Sequence, residues 1–321
     1  MRALALPVTA ILVVVLLSPL ASADDWEDGA RRLEVDARSD GFELRSDRRS
    51  GEGHDEIRLR LEGDNVLFRF ELRQEAGAVD ADAELRLELE RVIEFRDENA
   101  DGAFQEGENV PAEHAPSDLT LTAVSVRNVS AASVPGIEVT ANYTFGAAPA
   151  SRLAFRVTVF GDLTSFQDLV QHPVEVKADI LLFDFKYKEA GTLPGIVFRV
   201  RAASTSPPNI TADGVTFEAG DLKGSFRWRD NATVDGNETP VGVTVRQETG
   251  AVGEQDLSVA FAYARGTNIV HDPTFGFLKT ITEAVGRILG NPAFYALGAA
   301  AAVAAFGGLA AGRRSRKVKR T

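Results

Sequence analysis

The chain of 321 residues carries 47 Asp and Glu against 35 Lys and Arg and contains no cysteine. That balance argues against a nucleic-acid-binding surface, which must offer cations to phosphates. It also excludes an ectodomain held together by disulfides. Every acidic residue lies between two hydrophobic ends, and only 28 of the Lys and Arg do, so this stretch has an excess of 19 negative charges. Such a surface favours cations, solubility and tolerance of salt.

At the start, Arg2, an apolar run from Ile11 to Leu17 and Ala21-Ser22-Ala23 before Asp24 and Asp25 have the layout of a cleaved secretory signal peptide over residues 1–23. The chain from Asp24 onward is expected to lie outside the cell.

Short β-patterned segments recur after this leader: 33–35, 42–44, 57–61, 66–72, 119–126, 137–145 and 153–160, then 174–185, 196–200, 215–217, 226–228, 241–245 and 257–263. Turn residues separate most of them, the signature of antiparallel sandwiches rather than βαβ units. The expected fold is all-β, with one sandwich domain over 24–165 and a second over 166–272. Asp162 to His172 equally fits a loop or short helix inside one large sandwich.

Leu85, Leu87, Leu89, Ile93 and Phe95 alternate with charged residues as one further strand, and directly after it residues 97–108 read Asp-Glu-Asn-Ala-Asp-Gly-Ala-Phe-Gln-Glu-Gly-Glu. Asp97, Asn99 and Asp101 stand at alternate positions, Gly102 sits where the chain must turn, and Glu108 closes the run. The run resembles the calcium loop of EF-hand proteins. The resemblance implies a Ca²⁺ site formed by the side chains of Asp97, Asn99, Asp101 and Glu108, the Ala103 carbonyl, and Gln105 through a water. It covers those twelve residues only. A strand precedes the loop, and Pro111 and Pro116 come after it, so the helix-opening switch of EF-hand sensors does not carry over. An ion here is expected to act as a structural staple between strands; an acidic turn without metal is the alternative.

Ten asparagines occur, and five of them, Asn128, Asn142, Asn209, Asn231 and Asn237, begin Asn-x-Ser/Thr. This excess points to N-glycosylation, with Pro240 weakening the Asn237 sequon. Together with the missing cysteines it points to a prokaryotic, archaeal cell surface.

Towards the end, Phe277, Leu278, Ile281, Ala284, Val285, Ile288 and Leu289 recur at helical spacing, predicting a juxtamembrane amphipathic helix over 273–290. Ala293 to Gly312 is free of charge and spans about 30 Å as a helix. A transmembrane helix is therefore expected over 291–312. Small residues at Ala296, Ala300, Ala304, Gly308 and Gly312 offer a close helix-helix face. The basic residues of 313–321 form a cytoplasmic tail by the positive-inside rule. The expected protein is a single-pass membrane protein with its bulk outside.

Catalytic groups are sparse. His54, His114, His172 and His271 are far apart and lie in no nucleophile or metal motif. His271-Asp272 reads as acid-base machinery or, more plainly, as a turn. Phe226-Arg227-Trp228-Arg229 reads as an aromatic-arginine binding face or as a strand with its rings inward. These features favour a surface module that contacts a glycan or protein ligand over a surface hydrolase with structural calcium or a membrane accessory subunit.

Overall fold

A computed structural model describes residues 31–279 apart from 51–52, 77–78, 163, 167–168, 172–174, 205 and 220–221. The expected leader, transmembrane helix and basic tail lie outside the described residues, as does His172.

The described chain is nearly all strand. In order the strands are β1 (Arg31–Arg38), β2 (Gly41–Ser50), β3 (Gly53–Glu62), β4 (Leu67–Ala76), β5 (Val79–Phe95), β6 (Ala112–His114), β7 (Thr120–Ala131) and β8 (Val134–Phe145). They continue with β9 (Ser151–Phe160), β10 (Thr164–Phe166), β11 (Leu169–Gln171), β12 (Glu175–Phe183), β13 (Leu193–Ala203), β14 (Asn209–Thr211) and β15 (Gly214–Ala219). The remainder are β16 (Leu222–Arg227), β17 (Asn231–Val234), β18 (Asn237–Pro240), β19 (Gly242–Gln247), β20 (Glu254–Ala262), β21 (Asn268–His271) and β22 (Thr274–Lys279).

Two antiparallel sheets take up all but the β10–β11 hairpin. The first runs β1-β2-β3-β4-β5-β13-β20-β19, with β6 beside β5. In the second, β7, β8, β9 and β12 are adjacent in that order; beyond β12, β22 leads to β16, β15 and β14, and β21 leads to β17 and β18. Alternating apolar residues from both sheets meet in a single core. Phe68 of β4 packs on Phe155 of β9 at 5.2 Å between ring centroids, Phe70 of β4 on Phe277 of β22 at 5.3 Å, and Phe261 of β20 on Phe226 of β16 at 6.1 Å.

This interleaving corrects the expected pair of sandwiches. The first sheet takes β13, β19 and β20 from beyond residue 166, and the second takes β7, β8 and β9 from before it. Neither half closes a core of its own, so one large sandwich results. The segment 164–171 contains a short hairpin rather than a helix or an interdomain linker.

The amphipathic helix expected over 273–290 is corrected at its start. Residues 274–279 form β22, which pairs with β12 and β16, and Phe275 and Phe277 are both buried with period two. The remainder of that segment lies outside the described residues. Among the described residues no helix is long and apolar enough to cross a membrane.

Candidate metal centre

The loop over 97–108 is positioned by an irregularity in β5. Leu85, Leu87 and Leu89 face the main core, but the pairing of β5 with β13 shifts register between Val197 and Phe198, leaving Glu90 as the extra residue on β5. A bulge of one residue exchanges the faces of everything after it. Val92 therefore faces the core, while Ile93 and Phe95 pass to the outer face of the first sheet, splitting the set read as one face. There they form a small second cluster with Phe104, Val197, Ala260 and Ala262.

The loop folds back over this cluster. Phe104 is 4% exposed, and its ring meets Phe95 edge-on at 5.3 Å. Arg91 lies 5.5 Å from the Phe104 ring centroid and 2.7 Å from Glu106. The Arg96 N–H donates to the Asn109 carbonyl at 2.9 Å, closing the base of the loop. Gly102 turns with φ +75°, where glycine avoids a steric penalty. Its carbonyl packs so closely against Gly242 that a Cβ there would lie 1.8 Å away.

Within the loop the acidic side chains turn inward onto backbone donors. Asp97 accepts from Asp101 N at 3.2 Å and Gly102 N at 2.8 Å; Asn99 Oδ1 accepts from Asp101 N at 3.1 Å; Asp101 accepts from Ala103 N at 2.9 Å. Glu108 reaches back across the loop to accept from Glu98 N at 3.2 Å and Gln105 N at 2.8 Å. The amides of Asn99 and Gln105 both donate to Asp101 Oδ2, at 2.9 and 2.5 Å. All five side chains of the expected ligand set are thus gathered in one closed turn. Their donor chemistry, carboxylate and amide oxygen, fits a hard dication such as calcium. Even so, no group of three or more His, Cys, Asp or Glu side chains among the described residues stands at metal-holding distance. The carboxylates hold the loop's own N–H groups instead.

Beside the loop lies a polar hub that the sequence did not signal. Glu94 is fully buried and accepts from Lys188 N at 2.6 Å, Glu189 N at 2.9 Å and Thr192 Oγ1 at 2.5 Å. Burial pushes its carboxyl up, but these three donors and the Arg265 charge outweigh burial and hold it below the usual carboxylate range. Arg265 binds the Thr192 carbonyl at 3.1 Å and stacks 3.7 Å from the centre of the Tyr187 ring. The segments after β12 and β20 are thereby tied to the residue three before Asp97.

The other candidates resolve into structural roles. His271 is fully buried on β21, between the Tyr263 hydroxyl at 3.2 Å and the Arg229 carbonyl at 2.9 Å, and burial lowers its pKa to about 4. It cannot meet a substrate, which removes the acid-base reading of His271-Asp272. Asp272 lies 3.4 Å from Lys177, itself buried and paired with Asp179; Arg156 Nε reaches Asp179 at 2.7 Å. His54 pairs with Asp47 at 2.7 Å, and His114 packs on Phe145 at 4.9 Å. Phe226 and Trp228 are buried, Trp228 packing on Phe261 at 5.7 Å, and Arg227 pairs with Glu175 at 2.6 Å. Of the sequons, Asn128, Asn209, Asn231 and Asn237 are exposed and Asn142 is half-buried.

No protein-family model matches the chain, and no curated protein sequence matches it.

Proposed function

We propose that the protein is a calcium-stapled binding module of a cell surface, anchored by its C-terminal apolar segment with the acidic sandwich outside. The observation that carries this reading is the closed loop 97–108. It gathers Asp97, Asn99, Asp101, Gln105 and Glu108 over an apolar cluster on the outer face of a sheet. Calcium would take the place of the backbone donors as partner of these oxygens and add the Ala103 carbonyl. Its contribution is charge neutralisation and stiffening, so the loop surface becomes a fixed feature to which a protein or glycan can bind.

Placement at the surface rests on the leader over 1–23, the uncharged segment within 291–312 and the five sequons. In its native host the protein is expected to begin at Asp24, to stay with membranes through a salt wash, and to exceed its polypeptide mass. Protease added to intact cells should digest the sandwich. An intact mass equal to the bare chain would remove glycosylation, and a protein released by salt or protected from external protease would overturn the placement.

A further inference from the structure

Strand β19 ends the first sheet, and among the described residues it pairs with β20 alone. The Glu248 N–H donates to the Asp256 carbonyl at 2.8 Å, and 248/256 continues the register of this pair. Hydrogen-bonded and non-hydrogen-bonded pairs alternate in antiparallel sheets, so Gly242, Thr244 and Arg246 also direct their backbone groups to β20. The bond from Tyr263 N to the Pro194 carbonyl at 3.0 Å gives the same alternation from the other side of β20. The N–H and C=O groups of Val243, Val245 and Gln247 therefore point away from the sheet, and no described residue bonds to them.

Other edges are blunted in ways that β19 is not. Arg31, Arg32, Glu34, Asp36 and Arg38 crowd β1, β18 ends in Pro240, and β14 is three residues long. The edge strand β7 lies against β1 and carries the Asn128 sequon. In β19, Gly-Val-Thr-Val-Arg-Gln carries a single charge.

Next to this edge a cavity of about 360 Å³ opens between β19 and the calcium loop. Its floor is apolar, formed by Phe104, Val197 and Ala260, and Gln105 and Glu106 wall one side against Thr244 on the other. Glu106 is shared by Arg91 at 2.7 Å and by Arg246, which also lines the cavity, at 3.5 Å, and Glu90, bonded by Ser258 at 3.2 Å, brings a further carboxylate to the border. The apolar floor suits the methylene stem of a long basic side chain, whose cationic head would compete with Arg91 and Arg246 for Glu106 and draw on Glu90 as well.

We propose that β19 takes up an extended peptide strand of a protein partner by backbone pairing, and that a Lys or Arg of that strand enters the cavity against Glu106. Backbone pairing at a free edge supplies affinity without regard to sequence, and a pocket beside it selects the side chain. The excess of negative charge between the hydrophobic ends attracts such a segment. The inference rests on the binding-module reading, and the calcium loop supplies one wall of the pocket.

The test uses the purified full chain in detergent with calcium and a fluorescent peptide of alternating Val and Lys, read by anisotropy. Saturable binding is expected, at least about tenfold weaker for the same peptide N-methylated at alternate backbone nitrogens or with Glu in place of Lys. Gln247→Pro, which removes one outward N–H, and Glu106→Gln, a change at an exposed side chain, should each weaken binding, with melting curves confirming the fold. No saturable binding, or binding indifferent to N-methylation and to both variants, would overturn the proposal. Light scattering that shows a dimer broken by Gln247→Pro would assign the edge to a second copy and overturn it equally. Calcium calorimetry on the same sample separates the two claims: calcium heat without peptide binding defeats this inference alone, and peptide binding without calcium heat defeats the calcium reading alone.

Discussion

Thr192 donates its hydroxyl to Glu94 at 2.5 Å across 98 residues of sequence, inside a site with no solvent exposure. This contact fixes the end of β5, and with it the point from which the loop over 97–108 departs. Glu94→Ala would leave Lys188 N, Glu189 N and Thr192 Oγ1 without their shared acceptor. A loss of about 3 kcal/mol is expected in urea unfolding, because buried donors deprived of a charged acceptor bear the full desolvation penalty. The folded-state pKa of Glu94 lies below its ordinary value, so its contribution is present at neutral pH and lost as pH falls through the folded value. Glu94→Gln should therefore flatten the acid limb of the stability profile. A Glu94→Ala midpoint equal to wild type would contradict the hub.

Phe104 ties the loop to the sheet through Phe95. Phe104→Ala removes a buried ring from a cluster of only six buried residues and should cost about 3 kcal/mol. It should also weaken calcium binding, since the loop loses its apolar anchor. Unfolding at the wild-type midpoint, measured in the presence of calcium, would show that the outer cluster is not a support.

His271 stays neutral in the fold because burial lowers its pKa from 6.5 to about 4. Between those values the unfolded chain binds a proton that the folded chain refuses, so stability falls as pH drops from about 6.5 towards 4. The loss amounts to about 3 kcal/mol at the lower end. His271→Phe also loses the bonds to Tyr263 and Arg229, so the comparison is one of slopes: the variant should show a shallower decline over that window. Identical slopes would place the titration elsewhere.

Much of the fold was legible in the residues. Period-two patterns at Ile57 to Leu61 and Ile137 to Phe145 became β3 and β8, because one buried face leaves no other register, while the apolar run from Leu257 became β20, buried on both faces. The division into domains was not legible, since pairing partners such as β5 and β13 are chosen by long-range packing that no local pattern records. The bulge at Glu90 is not legible in the residues because Leu85 to Phe95 alternates almost without interruption in sequence. Phe277 and Leu278 read as helix because Ile281 to Leu289 extends them at helical spacing, yet Phe275 and Phe277 complete the core opposite Phe70. In the candidate site, Asp97 to Glu108 was visible as a motif. Glu94 was not, because a lone glutamate in an alternating strand looks like any solvent-facing residue.

Calcium titration of the purified full chain by calorimetry, with a parallel thermal melt, decides whether residues 97–108 hold an ion. One ion per chain is expected, with a rise in melting temperature that grows with free calcium, as ligand linkage requires. Glu108→Gln, which removes the charge of the closing carboxylate, should abolish or strongly weaken both effects. Absence of calcium heat and of any thermal shift in the wild-type protein would contradict the account and leave 97–108 as an acidic turn held by its own hydrogen bonds.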